Sequence, residues 1–339
     1  MTAPDAHTDP PARTEPLAAP PSHTDPPAAP PAHTDSPAAP PAAPQPGATH
    51  PHRGRARNAA LQEPLLDLLG VASGEPFVAD LHAHTVVSDG ADTVRGLLGK
   101  SRVRGVTHQA VTNHDTTIGL DDALACAREM GAHVIPGVEV SAFDPSTGRR
   151  VHVLGLGVRE GARAIAELCT PTLERRTANT AWQLERLLED GFDVDVDVCA
   201  RHASKSTAFY WQHLMAGLTD APRGSSEFQR IRDELFADGR PYARDIAYVD
   251  MRDAVAAIRE DGGLPVLAHP AQFASFDAVP ALADAGLAGI EAWHYTSGPD
   301  DERRALELAG EHGLFVTGGS DFHGRFSIPP HPGFRTLCG

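Results

Sequence analysis

From residue 60 onward, short apolar runs alternate with stretches in which apolar positions recur every three to four residues. A short apolar run reads as a buried strand, and the longer period reads as an amphipathic helix. Strands are predicted at 77–79, 107–112, 133–135, 150–157, 264–268, 288–292 and 314–317. Helices are predicted at 60–70, 94–102, 120–130, 251–260, 279–285 and 300–311, with Gly131 placed to end the third. The alternation stops after the fourth strand. There 171–190, closed by Gly191, 206–218 and 226–237 all read as helices, so a helical insert of about 160–250 interrupts the pattern. Repeated strand–helix units predict an α/β fold of parallel strands with right-handed crossovers. In such folds the site forms at the C-terminal ends of the strands.

Composition separates residues 1–57 from the rest. They hold 16 of the 30 prolines and almost no large apolar residue, so they cannot bury enough surface to offset chain entropy. A disordered or polyproline-like tail is predicted there, followed by one folded domain over 58–339. The repeats His7-Thr8-Asp9-Pro10, His23-Thr24-Asp25-Pro26 and His33-Thr34-Asp35 are too irregular for a solenoid. No fixed geometry holds the histidines in them as ligands. No stretch resembles a secretory leader or is apolar and long enough to span a membrane. With four scattered cysteines and no CxxC, this predicts a cytoplasmic, reduced protein.

The formal net charge of −16 argues against an extended nucleic-acid-binding face. A small phosphorylated substrate remains possible if bound cations reverse the local field. The residues at the predicted strand ends supply groups that would hold such cations. They are Asp80-Leu81-His82-Ala83-His84 with Asp89, Asn113-His114-Asp115, Glu139, His152, His269, and Asp321-Phe322-His323. His82 and His84 are two apart on an extended segment, so both imidazoles face one side. The turn Ser88-Asp89-Gly90 can fold a carboxylate back toward them. Imidazole and carboxylate donors without thiolate suit manganese, iron or zinc. Asp80 and Asp115 are expected to orient imidazoles from behind, and Asn113 to support its motif without ligating. His294 and Tyr295 follow a strand and are expected at the rim of the mouth. Arg175, Lys205 and His213 are the insert's candidates for substrate contact; for Arg175 and its neighbour Arg176 a solvated helix face competes with that reading.

These motifs, in this order from about 77 to 326, resemble the PHP (polymerase and histidinol phosphatase) superfamily of metal-dependent phosphoesterases. The likeness is to the branch with the RNase AM type 5′-nuclease and the nucleoside 3′,5′-bisphosphate phosphatases, which also carries a helical insert. The resemblance implies a distorted (βα)7 barrel and two or three divalent ions, with manganese first and iron or zinc as alternatives. It implies His82, His84, Glu139 and Asp321 on one ion and Asp89, His114 and His269 on a second. The third takes Glu139, His152 and His323. A metal-bound hydroxide is then the expected nucleophile on a phosphate ester, in a small nucleotide or at a short oligonucleotide end. Histidinol phosphate or another small phosphomonoester is the alternative substrate. A non-catalytic barrel that binds metal or protein is the alternative of another class.

Overall fold

The structure is a computed structural model that describes residues 54–55, 59–72, 74–329 and 331–339. The predicted tail lies almost wholly outside these residues. The elements run β1 (Gly54–Arg55), α1 (Ala59–Leu69), β2 (Val78–Asp80), α2 (Val94–Val103), β3 (His108–Val111), α3 (Leu120–Met130), β4 (His133–Phe143) and β5 (Arg150–Leu156). The insert follows with α4 (Arg163–Glu189), α5 (Val196–Ala203), α6 (Trp211–Leu218) and α7 (Ser226–Leu235). The chain then returns through β6 (Val249–Asp250), α8 (Met251–Glu260), β7 (Leu264–Ala268), α9 (Val279–Ala285), β8 (Gly289–Trp293), α10 (Pro299–His312), β9 (Phe315–Gly318) and β10 (Leu337–Cys338). None of the described helices is long and apolar enough to cross a membrane.

One sheet in the order β1-β10-β2-β3-β4-β5-β7-β8-β9 curls into a nearly closed barrel, with β6 beside β4. Past the strand ends, Leu81 N–H donates to Gly318 O at 3.1 Å and His84 N–H to Phe322 O at 2.9 Å, joining the β2 end to the β9 end. Buried Val, Leu and Ile from the strands, with Leu97, Ala123, Ile165, Ile258, Leu282 and Leu308 from the helices, form the main core. Local chemistry sets several helix limits. Thr93 accepts Gly96 N–H at the start of α2, and Gly131 ends α3 in the left-handed region at φ 60°.

The wall is not all parallel. β5 runs antiparallel to both β4 and β7. The six residues between β4 and β5 are too few for a crossover and form a hairpin instead. Asp144 holds that turn by accepting from Ser146 N–H at 2.8 Å, and Gly148 takes φ 70°.

The insert departs from its predicted limits in two places. α4 begins at Arg163, eight residues before Pro171, because Ile165 and Cys169 bury on the barrel core. Residues 206–210 are not helical; helices α5 and α6 flank them. Leu187, Val194, Cys199, Leu214 and Tyr242 give the insert a small core of its own.

Candidate metal centre

Strand register carries the candidate ligands around the barrel mouth. Thr112 N–H donates to Ala83 O at 2.9 Å, which sets the β3 end beside His82-Ala83-His84. His114 bridges to Glu139, Ser141 pairs with His152, and His152 pairs with Ala268, next to His269. Asp321 N–H donates to His82 O at 2.9 Å and closes the ring. Asp115, His269 and Asp321 have positive φ values of 57°, 28° and 50°. Such backbone is costly and concentrates at functional sites. Two glycines are required by close approach. A Cβ at Gly90 would lie 2.8 Å from the His84 backbone, and one at Gly319 would lie 2.4 Å from His82 Cβ.

Three adjoining groups result: His82, His84, Glu139 and Asp321; His84, Asp89, His114 and His323; and His114, Glu139 and His152. In the first, the Nε2 atoms of His82 and His84 lie 3.1 and 3.0 Å from Glu139 Oε2 and 3.4 and 3.2 Å from Asp321 Oδ1. In the second, His323 Nε2 is 3.3 Å and His114 Nε2 3.8 Å from Asp89 Oδ2. In the third, His152 Nδ1 is 2.7 Å from Glu139 Oε1.

The first group has the membership that the resemblance implied. The other two exchange a histidine. His323 stacks on His84 with centroids 4.0 Å apart and belongs with Asp89. His269 Nε2 lies 2.8 Å from Glu139 Oε1 and belongs on the side of His152. The reason is strand adjacency: β7 neighbours β5, and the β9 end reaches β2.

The donor chemistry fits divalent cations. His82 Nε2, both His84 ring nitrogens, Glu139 Oε2 and Asp321 Oδ1 are buried without a hydrogen-bond partner. Unpaired buried polar atoms are costly unless something satisfies them. Burial opposes ionisation of Asp89, Glu139 and Asp321, but the surrounding imidazoles hold all three well below the usual carboxylate range. Burial also lowers His114 and His152, keeping them neutral as ligands must be.

The supporting residues differ from expectation. Asp80 orients no imidazole. It accepts from Ser320 N–H at 2.9 Å, Ser320 Oγ at 2.7 Å and Gly333 N–H at 2.7 Å, and so ties down the backbone before Asp321. Asp115 likewise turns away from His114, accepting from Ser141 N–H at 2.8 Å and Arg176 Nη2 at 2.9 Å. Asn113 Oδ1 accepts from Thr85 N–H at 2.8 Å and Ser88 Oγ at 3.0 Å, which secures the turn bearing Asp89. The residue that does orient an imidazole is Glu291. Both of its oxygens lie 3.3 Å from His82 Nδ1, and Oε2 accepts His269 N–H at 2.8 Å. A lone acid inside the apolar run Ile290 to Trp293 was the available signal.

His294 is fully buried at the mouth, with Nε2 3.5 Å from Asp321 Oδ2 and its ring 4.3 Å from that of Tyr295. Arg175 does not reach the centre; it bonds to Ala247 O and Thr172 Oγ1 within and beside α4. Arg176 does approach it, through Asp115 and Ser141, while Lys205 is exposed. The insert docks on the Asp89 loop: Ser206 Oγ donates to Ser88 O at 2.7 Å and Gln212 Nε2 to Asp89 Oδ2 at 2.6 Å. Tyr210 Oη adds a bond to His114 O at 3.1 Å.

His213 is buried and caps α6 by accepting Tyr210 N–H at Nδ1, at 3.3 Å. Burial pushes its pKa down to about 4, so the folded ring stays neutral where an unfolded one, titrating at 6.5, takes a proton. Its contribution to stability is therefore complete above about pH 6.5 and is lost as pH falls toward 4, by up to roughly 3 kcal/mol. Melting curves of the wild type and His213→Gln should differ in slope between pH 7.5 and 5, with the variant shallower. Parallel slopes would contradict this.

The comparisons with known proteins agree with the geometry. The PHP domain family model matches residues 80–207. The chain is 50% identical over 259 residues to the phosphoribosyl 1,2-cyclic phosphate 1,2-diphosphodiesterase of Eggerthella lenta, covering 76% of this chain and 99% of that one. It is 30% identical over 253 residues to the 3′,5′-nucleoside bisphosphate phosphatase of Chromobacterium violaceum, covering 72% and 86% of the two chains. Against the 5′-3′ exoribonuclease Rnm of Escherichia coli it is 28% identical over 258 residues, covering 73% and 85%. A Bifidobacterium adolescentis structure assigned as a metal-dependent phosphoesterase superposes with TM-score 0.65 at 29% identity, over 73% of this chain and 88% of that one. A relative that is half identical along nearly its whole length, and a barrel mouth lined with adjoining His/carboxylate groups, lead to one conclusion: the chain belongs to the PHP family of metal-dependent phosphoesterases.

Proposed function

We propose that this enzyme hydrolyses a cyclic phosphodiester on a phosphorylated sugar, of the phosphoribosyl 1,2-cyclic phosphate class. The observation that carries this reading is the 50% identity to the Eggerthella lenta diphosphodiesterase over 99% of that protein. The 259 matched residues are too many to leave out the insert, which is the part of the fold that contacts the mouth.

In this reading His82, His84, Glu139 and Asp321 hold one ion, and His84, Asp89, His114 and His323 a second. Glu139 and His152, with His269, hold a third if three bind. Manganese suits these donors, as do iron and zinc. The ions supply Lewis-acid chemistry, lowering the pKa of water and neutralising charge on phosphoryl oxygens. Glu291 fixes the orientation of His82 and the backbone of His269. His294 Nδ1 lies 2.8 Å from Thr296 Oγ1 and 3.3 Å from Thr296 N; with Nδ1 accepting from both, the neutral ring would carry its proton on Nε2, on the side of Asp321. That N–H is placed to donate to a phosphoryl or leaving oxygen. The insert of about 160–250 acts as a cap that excludes water and selects the leaving group. The four free thiols, Cys126, Cys169, Cys199 and Cys338, support a reducing, cytoplasmic setting.

Hydrolysis of a nucleoside 3′,5′-bisphosphate or an RNA 5′ end is the second reading, supported by the likeness to the phosphatase and exoribonuclease relatives. A panel of phosphoribosyl 1,2-cyclic phosphate, a 3′,5′-bisphosphate, short RNA and histidinol phosphate, run with manganese, separates these readings. The cyclic diester should show the highest kcat/KM. A preference of more than about tenfold for the bisphosphate or RNA, over one kcal/mol of transition-state discrimination, would replace it.

A further inference from the structure

Two arginines gather on one turn beside the centre in a chain whose net charge is −16, and one of them has no carboxylate partner among the described residues. The turn, Gly324–Phe326, begins directly after His323. Arg325 holds its guanidinium over the Phe326 ring, 5.3 Å from the centroid, and pairs with Asp220 at 3.2 Å. The His202 ring from the end of α5 lies 5.3 Å from the Phe326 ring. Arg223, on the loop between α6 and α7, is half-buried and donates from Nη1 to Phe326 O at 3.2 Å. That is the single side-chain hydrogen bond of Arg223 among the described residues, and no carboxylate pairs with it. The rest of its planar fork is free to bind an anion in bidentate fashion.

Phe326 ends the turn that begins directly after His323, so Arg223 is anchored to the segment that carries a candidate ligand. Burial pushes the Tyr295 phenol up to about 12, and among the charges acting against this Arg223 is foremost. The Tyr295 ring lies tilted against that of His294, whose Nε2 is 3.5 Å from Asp321 Oδ2. The guanidinium therefore sits where the cap meets the turn that follows His323. A half-exposed guanidinium keeps its free donors accessible, and its planar fork matches the oxygens of a phosphate.

We infer that Arg223, held on the turn that also bears Arg325, binds the non-reacting phosphate of the substrate while the centre engages the phosphodiester. This rests on the reading of the substrate as a phosphorylated sugar carrying a cyclic phosphodiester. It adds the reason for a cap. Ions at the centre would be taken up by the reacting phosphodiester, so counter-charge for a second phosphate has to come from the protein around the mouth, and Arg223 lies on the insert. A remote anchor of this kind aligns the reacting end as well as tightening binding.

The test compares phosphoribosyl 1,2-cyclic phosphate with ribose 1,2-cyclic phosphate, which lacks the remote phosphate, on manganese-loaded full-length enzyme. The wild type should prefer the phosphorylated form. In Arg223→Ala the ratio of the two kcat/KM values should fall on the order of 10- to 100-fold, as expected for losing a charge-assisted bond to phosphate. Arg223→Glu should lower it further, and Arg223→Lys should restore part of it. A wild-type preference that survives in Arg223→Ala and Arg223→Glu would overturn the subsite and leave the cyclic-diester reading standing. If the wild type turns over neither cyclic compound while still hydrolysing bis(p-nitrophenyl) phosphate, the substrate reading fails and the subsite fails with it.

Discussion

Glu139→Gln should lower kcat by roughly three orders of magnitude and reduce the metal bound per chain. Glu139 is the one carboxylate common to two of the three groups, with oxygens 2.7 to 3.3 Å from five imidazoles. Glutamine keeps the shape and volume of the side chain but loses the charge and one acceptor. Its NH2 group would point donors at nitrogens that must themselves be free to ligate. The charge is needed to hold cations, and it persists against burial because the surrounding imidazoles favour the carboxylate. Turnover of bis(p-nitrophenyl) phosphate and elemental analysis of the purified variant check this together. A variant with wild-type metal content and kcat within tenfold of the parent would show that Glu139 bridges nothing of consequence.

Thorough chelation should abolish hydrolysis, and manganese, iron or zinc should restore it. It should also lower the melting temperature, because ions bind the folded centre and not the unfolded chain. At free metal a thousandfold above Kd that stabilisation is about 4 kcal/mol per ion. Reloading should weaken as pH falls. Burial alone would depress the pKa of His84, yet Asp321, Glu139 and Asp89 together push it up to about 9. A cation must displace that proton, so acid favours the proton over the metal. Full activity after chelation, verified by elemental analysis, would remove metal from the reaction.

Much of this was legible before the fold was known. Alternating runs and periodic helices marked the barrel, since periodicity is a local property of the chain. Helices α3, α8 and α9 fall at their predicted limits, because Gly131, Asp250 and Gly286 supply caps that act over a few residues. Where a distant surface overrode local preference, the limits moved. Pro171 reads as a helix start, but packing of Ile165 against the barrel carries α4 back to Arg163. The donor types were equally visible, because a histidine or aspartate at a strand end needs only its neighbours to be recognised.

Sequence alone therefore marked most of the elements, the α/β character and the donor groups expected at the strand ends. Tertiary structure decided which of those groups meet. His269 and His323 exchange places relative to the expected sets because ring order depends on which strands lie side by side, and β7 beside β5 or β9 beside β2 is a pairing of residues far apart in the chain. Glu291 escaped notice for the same reason, since its partner His82 lies 209 positions away. Arg175 and Arg176 look alike along the sequence, and a turn of about 100° per residue on one helix is what sends Arg176 to Asp115 and Arg175 to Ala247. Local pattern specifies what each residue can do; contacts across the chain, absent from any short window, specify with whom it does it.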